Sequence, residues 1–284
     1  MTQVDLVCDA GPSVGYGHLR RTLTLAEALR HAGVVARVTG LSEQAKVLLP
    51  PQQPVNTDPD VVVFDAPQGL NAEIQKARAD GRCVVALDWF GDSEPDVAIV
   101  IYPHRIVRAR LQSYVGIEYQ MIRSEITSQP VGNEGKGVVV MLGGGDLRGQ
   151  GHLAALKLVE QGLKVTLIQG PLVSSPPKIV PYDVLINPPD LPERLVNCSW
   201  LVTNGGGCMF EAMYLGKPVV SLPQTEQEMV LARYVYERDA LLGIGVSNLR
   251  PYTHGELRPV AQRAAAMVDG YGAERVANII RKLI

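Results

Sequence analysis

The sequence predicts an α/β protein made of two doubly wound domains, each a parallel sheet with helices on both faces. Three observations carry this reading. The apolar runs are short, β-branched and continuous rather than alternating, which is how strands covered on both faces appear. Helical patterns lie between successive runs. The alternation also stops at a polar, Gly- and Pro-containing stretch and then restarts, dividing the chain into halves of similar size.

The elements follow in order. Val4–Cys8 is the first strand, ending at Asp9. His18–His31 places Leu19, Leu23, Ala26 and Leu29 on one helical face, and Gly33 stands where a C-terminal cap belongs. Val34–Thr39 and Val61–Phe64 are strands, Leu70–Asp80 is a helix stopped by Gly81, and Cys83–Leu87 and Val97–Ile101 are strands. The basic, apolar stretch His104–Leu111 (HRIVRARL) reads as a helix with a solvated arginine face in preference to a segment that touches a membrane. Ser124–Gly137 (SEITSQPVGNEGKG) reads as the connection. The expected division is therefore residues 1–128 as the N-terminal domain, 129–137 as linker and 138–284 as the C-terminal domain. Val138–Leu142, a helix ending near Gly162, Val165–Ile168, Val184–Ile186, Trp200–Thr203 and Val219–Leu222 continue the series. His254–Ile284 reads as two helices, the last able to pack back on the N-terminal domain. Two such domains are expected to face a cleft, with ligands at the C-terminal ends of the strands.

Composition narrows the function classes. The chain has 284 residues, 27 Lys+Arg and 29 Asp+Glu, giving a formal net charge of -2, so nothing global favours nucleic acid or an anionic membrane. Hydrophobic residues at 46% and charged residues at 20% argue against disorder. Aromatics at 5% argue against a carbohydrate-binding module built on exposed ring faces. Cys8, Cys83, Cys198 and Cys208 form no C-x-x-C, and the histidines are scattered, so neither a disulfide scaffold nor a structural zinc site is expected. Reduced thiols suit the cytoplasm. Met1–Ala10 has neither a basic n-region nor a long apolar h-region, so no secretory signal is expected. No apolar run approaches the roughly 20 residues that cross a bilayer. Oligomeric state is not legible.

Three glycine-rich loops carry the chemistry. The first, Gly11-Pro12-Ser13-Val14-Gly15-Tyr16-Gly17-His18, directly follows the first strand. Its glycines let the backbone turn tightly and approach a ligand, and they deliver a helix start that favours anions. The spacing is not G-x-G-x-x-G, so no dinucleotide fingerprint is indicated. His18 sits at the helix N-terminus, where the protonated ring is disfavoured, which suits a neutral general base; the alternative is a histidine that caps or hydrogen-bonds the loop. Asp65, closing Val61–Phe64, is a candidate polar group toward substrate. Asp88 follows its own strand in the same way, with Trp89 and Phe90 as packing residues. Asp58-Pro59-Asp60 spells a D-x-D metal motif but precedes its strand, so a proline turn is the better reading.

The second loop is Gly143-Gly144-Gly145-Asp146, whose backbone can wrap phosphate or sugar oxygens. Asp146 either binds a hydroxyl or caps the next helix. The third is Thr203-Asn204-Gly205-Gly206-Gly207-Cys208-Met209-Phe210-Glu211. It offers a row of backbone N–H donors for a diphosphate, and Glu211 lies one turn into the helix, where a carboxylate can hold ribose hydroxyls or simply complement the helix dipole. Pro223–Gln227 follows another strand and reaches the same edge.

With these residues laid out, the chain resembles a known group over nearly its whole length: the UDP-2,4-diacetamido-2,4,6-trideoxy-β-L-altropyranose hydrolases of pseudaminic acid biosynthesis and the related spore-coat polysaccharide biosynthesis proteins. Both are similar to the GT-B glycosyltransferase that adds N-acetylglucosamine in peptidoglycan synthesis. Gly15-Tyr16-Gly17-His18-Leu19-Arg20-Arg21 resembles G-x-G-H-x-x-R, and Gly116 through Tyr119 to Arg123 and Glu125 resembles G-x-x-Y-x-x-x-R-x-E. Gly143–Asp146 resembles G-G-x-D, and Gly205–Glu211 with Gly216-Lys217-Pro218 resembles G-G-x-x-x-x-E…G-x-P, with Gln227 on the glutamine that follows.

The resemblance implies a GT-B-like fold and a UDP-sugar substrate, with no metal or other cofactor. It implies a diphosphate at Gly205–Cys208, with Asn204 beside it, ribose at Glu211, uracil near Leu191, and further substrate contacts from Gly15, Gly17, Arg20, Tyr119, Gly143–Asp146 and Gln227. His18 would activate water for inverting attack at the anomeric carbon, and Asp65 is the other catalytic candidate. The chain departs from the group's pattern at Pro67, where a Tyr is usual, at Gly207 and Cys208, where Ser and Thr are common, and at Glu226, where Asn is usual. An inverting glycosyltransferase with another acceptor and a non-catalytic nucleotide-sugar-binding protein are the competing expectations. The sugar itself is not legible.

Overall fold

The computed structural model describes residues 3–11, 14–50, 59–67, 69–132, 134–146, 148–171 and 179–284. These form two compact units. The first runs through Arg123 and adds Gly270–Ile284; the second is Ser124–Asp269.

In the first unit, six parallel strands are β1 (Gln3–Cys8), β2 (Val35–Gly40), β3 (Val61–Asp65), β4 (Cys83–Leu87), β5 (Val97–Val100) and β6 (Gln112–Val115), in the order β2-β1-β3-β4-β5-β6. The continuous apolar runs have the expected cause. Val61 and Val63 enter the core on one face, with β1 and α1 (Gly17–His31), whereas Val62 and Phe64 enter the core on the other, with α3 (Asn71–Ala79). Leu19, Leu25 and Leu29 of α1 are fully buried, with Leu23 and Ala26 packed beside them. α10 (Gly272–Arg281) packs against α1, so the end of the chain completes this core. A short helix, α2 (Glu43–Leu48), is capped by Ser42, whose Oγ accepts the Ala45 N–H at 3.1 Å.

The second unit contains α4 (Ser124–Thr127), β7 (Val138–Met141), α5 (Gln150–Val159), β8 (Val165–Gln169), β9 (Asp183–Ile186) and α6 (Leu191–Asn197). β10 (Trp200–Thr203), α7 (Gly207–Tyr214), β11 (Val219–Ser221), α8 (Glu226–Tyr236), β12 (Gly243–Ile244) and α9 (His254–Met267) complete it. Its strands are again all parallel, in the order β12-β11-β10-β7-β8-β9.

Both sheets reverse strand order once, and this positions the candidate sites. The chain leaves β1 for β2 on one side and returns to β3 on the other; it leaves β7 for β8 and β9, then returns to β10. The crevice at such a switch point is where open α/β sheets bind ligands. The loops after β1 and β3, and those after β7 and β10, are the motif-bearing loops.

Two expectations need correction or refinement. His104–Leu111 is not helical. Its end is tied by backbone hydrogen bonds, with the Arg110 N–H donating to the Pro95 carbonyl and the Leu111 N–H to that of Asp96, and it leads into β6. Residues 134–137 do not hang free: the Lys136 N–H donates to the Asn197 carbonyl at 2.8 Å, and the Gly132 N–H to that of Leu215 at 3.1 Å, both inside the second unit. Pro12, Ser13 and Asp58 lie outside the described residues.

Candidate functional site

The first unit gathers a histidine, an arginine and two aspartates at its switch point. β1 and β3 pair in register with Cys8 beside Asp65, which puts Asp65 at the C-terminal end of the sheet. The α1 helix starts just after β1 because Gly11 and Gly15 close a tight loop. The Gly15 N–H donates to the Gly11 carbonyl at 2.7 Å, the Gly11 N–H to the Gly15 carbonyl at 3.1 Å, and Gly15 has a φ of 86° that favours glycine. On α1, His18, Arg21 and Thr22 share a face by their i, i+3, i+4 spacing, and all three reach Asp65. His18 Nδ1 stands 2.7 Å from Asp65 Oδ1, Arg21 Nε donates to Oδ2 at 2.8 Å and Nη2 to Oδ1 at 2.5 Å, and Thr22 Oγ1 donates to Oδ2 at 3.4 Å. Arg21 Nη1 continues to Asp88 Oδ2, and Asp88 Oδ1 accepts the Ile101 N–H at 2.9 Å.

The electrostatics keep Asp65 and Arg21 charged. Burial by itself raises the Asp65 carboxyl, but Arg21 and His18 outweigh it and hold Asp65 well below the usual carboxylate range. Burial likewise opposes the charge on Arg21, and Asp65 and Asp88 more than offset it. An ionised Asp65 only accepts, so Nδ1 of His18 is the donor. Neutral His18 then carries its lone pair on Nε2, for which no hydrogen bond is present among the described residues. Cys8, next door, is pushed up to about 12 by burial and by Asp65, so it is no nucleophile at neutral pH.

Sequence reasoning named His18 and Asp65 separately, took Arg21 only as part of the G-x-G-H-x-x-R resemblance, and treated Asp88 only as a possibility. The signal was there: Arg21 lies one turn beyond His18, and Asp88 ends the strand beside β3. Arg20, singled out instead, points elsewhere, with its guanidinium 5.4 Å from the Tyr16 ring centroid. Trp89 is a packing residue whose Nε1 donates to the Ser93 carbonyl at 3.0 Å. Tyr119 packs edge-on against Tyr114 at 5.8 Å, beside the core.

The second unit brings the loops after β7 and β10 together with the start of α8. A Cβ on Gly143 would lie 3.2 Å from the Asn204 amide, and one on Gly170 would lie 2.4 Å from Gly144, so the triple-glycine loop packs closely on its neighbours. Asp146 takes its capping role: its oxygens accept the Gln150 and Gly151 N–H groups at 2.9 and 2.6 Å. Beside it opens a small cavity of about 20 Å³, lined by Gly143, Asp146, His152 and Gln169 among others. Gly206 is the N-cap of α7 and makes no side-chain cap hydrogen bond, and Gly207 and Cys208 open the helix. Glu211 is buried one turn in. Leu191 is the half-buried first residue of α6, and Gln227 is exposed on the first turn of α8.

The residue that sequence reasoning missed here is Glu228. Its Oε1 accepts from Asn204 Nδ2 at 2.5 Å and its Oε2 accepts the Gln224 N–H at 2.7 Å. Burial pushes its carboxyl up, against the hydrogen bonds from Gln224, Asn204, Gly205 and Thr225. Gln224 also donates to the Leu142 carbonyl at 3.2 Å, tying the loop after β7 to the same cluster. Gly205 is required by close approach, since a Cβ there would sit 2.3 Å from the Glu228 carbonyl oxygen. Gly205→Ala should therefore cost about 1–3 kcal/mol, read as a lower thermal midpoint; an unchanged midpoint would mean that α8 yields freely. Among the described residues, no three His, Cys, Asp or Glu side chains gather in a metal-ligating group.

Two parallel six-stranded Rossmann-like sheets in one chain, each with glycine loops at its switch point, define the GT-B fold. MurG of Acinetobacter baumannii superposes with a TM-score of 0.70 at 12% identity, covering 99% of this chain and 100% of that one. S. aureus MnaA, solved with UDP, superposes with a TM-score of 0.63 at 12% identity, covering 100% and 97%. In sequence, the chain is 24% identical to an uncharacterized protein of Methanocaldococcus jannaschii, over 89% of this chain. It spans 61% of the length of that curated relative. No protein-family model matches the chain. No helix among the described residues is long and apolar enough to cross a membrane.

Proposed function

We propose that the chain is a nucleotide-sugar hydrolase, which cleaves the anomeric C–O bond of a UDP-linked amino or deoxy sugar with inversion. The observation that carries this reading is the hydrogen bond from His18 Nδ1 to Asp65, held ionised by Arg21. With Nδ1 donating to Asp65, the basic nitrogen of the neutral ring is Nε2. That nitrogen takes a proton from water as the water oxygen bonds to the anomeric carbon, and the bond to the diphosphate breaks with its electron pair leaving on UDP. Aspartate orients the ring and stabilises the imidazolium that forms. The loop Asn204–Cys208 and the start of α7 offer backbone N–H groups and a helix dipole for the departing diphosphate, which needs no metal in this scheme. Uridine as the base, ribose at Glu211, and water rather than another acceptor come from the resemblance to the pseudaminic acid hydrolases.

The test is turnover on a panel of UDP-sugars in buffer with chelator and no added acceptor, with the product anomer read by NMR. UDP release at catalytic rates, with the inverted sugar as first product, is the expected result. UDP binding without release would overturn the hydrolase and direct the same His18 chemistry to an acceptor hydroxyl, as in an inverting glycosyltransferase. UDP binding with no turnover on any acceptor would leave a nucleotide-sugar-binding protein.

A further inference from the structure

The loop after β10 already holds an anion, and it is the chain's own. The Gln224 N–H donates to Glu228 Oε2 at 2.7 Å, and the Asn204 carboxamide donates to Oε1 at 2.5 Å. That Oε1 lies 3.3 Å from where a Cβ of Gly206 would stand, next to the uncapped start of α7. A backbone N–H and a carboxamide N–H converging on one pair of oxygens are donors that a phosphoryl group can also take. The carboxylate keeps these buried donors satisfied when nothing else is bound. It also puts a negative charge where the loop is read as holding a diphosphate.

We propose that Glu228 is a resident anion of this loop, which an incoming nucleotide diphosphate expels from its donors. The proposal rests on the nucleotide-sugar reading above and adds a residue that the resemblance does not supply. Its consequence is directional. A residue that merely scaffolds the loop weakens binding when altered, whereas a competing anion strengthens binding when its charge is removed. In Glu228→Gln, the remaining carbonyl oxygen keeps an acceptor for the Gln224 N–H, and the Asn204 amide can turn to present its oxygen to the new NH2 group.

The experiment is calorimetric titration of the full chain and of Glu228→Gln and Glu228→Ala with UDP, inorganic pyrophosphate and uridine, with thermal midpoints measured in parallel. UDP and pyrophosphate should bind roughly tenfold more tightly to both variants, as expected for a like charge removed at short range, while uridine is unchanged. Equal or weaker UDP binding at an unchanged midpoint would overturn the proposal and leave the nucleotide-sugar reading standing. Uridine tightening by the same factor would overturn it too, because the effect would not lie at the diphosphate. Failure of the wild type and both variants to bind UDP or pyrophosphate would overturn both readings. A measurement on the wild type needs no variant: saturating UDP should move the Glu228 carboxyl carbon resonance, and an unmoved resonance would sink the idea.

Discussion

Asp65→Asn should lose roughly 10³–10⁴-fold in kcat for UDP release and should also destabilise the fold. An amide at this position can present its NH2 to His18 Nδ1, which favours the tautomer with the proton on Nε2 and removes the base. The stability loss has a separate origin. Asp65 is 1% exposed and Arg21 is 13% exposed in its side chain. Neutralising Asp65 leaves Arg21 with Asp88 as its remaining partner, and breaking a buried pair in this way costs about 3–5 kcal/mol. The sign of the pH dependence follows from the depressed carboxyl. Its stabilisation is fully present above the ordinary Asp value of about 4 and is lost as pH falls through the folded-state value. The wild type should thus lose stability below that pH in a component that Asp65→Asn lacks. Denaturant melts of both proteins across the acid range measure this, and parallel curves would show that the Asp65 charge does not couple to folding.

His18→Ala should lower kcat by roughly 10²–10⁴-fold, the usual worth of a positioned general base, with the UDP dissociation constant unchanged. The ring is partly exposed, with 23% of its side chain accessible, and it contributes one of several hydrogen bonds to Asp65, so the fold should survive its removal. Weaker UDP binding with intact turnover would assign His18 to substrate contact instead of proton transfer. Turnover equal to the wild type would make it a loop residue.

Much of this arrangement was legible because it depends on local pattern. Continuous apolar runs such as Val61–Phe64 reveal a strand buried on both faces, and a strand that ends in Asp65 places that carboxylate at the sheet edge. His18 followed from the glycine loop before it. What stayed hidden was pairing across long separations. Nothing near Glu228 in sequence marks it as a partner of Asn204, 24 residues away, and the resemblance drew attention to Gln227, which is exposed. Of two adjacent arginines, Arg20 and Arg21, helical phase relative to Asp65 decides which one faces inward, and the G-x-G-H-x-x-R resemblance falls on that same Arg21. The polar edge strand β6 was missed because it is partly exposed and shares none of the apolar continuity of its neighbours. The arginine-rich stretch before it has the composition of a helix face, yet it is not helical and its end bonds through the backbone to residues 95 and 96.

The order of the two units along the chain bears on how the protein is made. Ser124–Asp269 is one uninterrupted stretch, whereas the first unit is closed only by α10, which packs on α1. On the ribosome, α1 must therefore wait for α10, which is made only after the whole intervening unit. Until α10 is made, the face of α1 that receives it has no covering, and by then the intervening unit has its whole sequence. The native order of completion is thus the reverse of the order in which the two units begin.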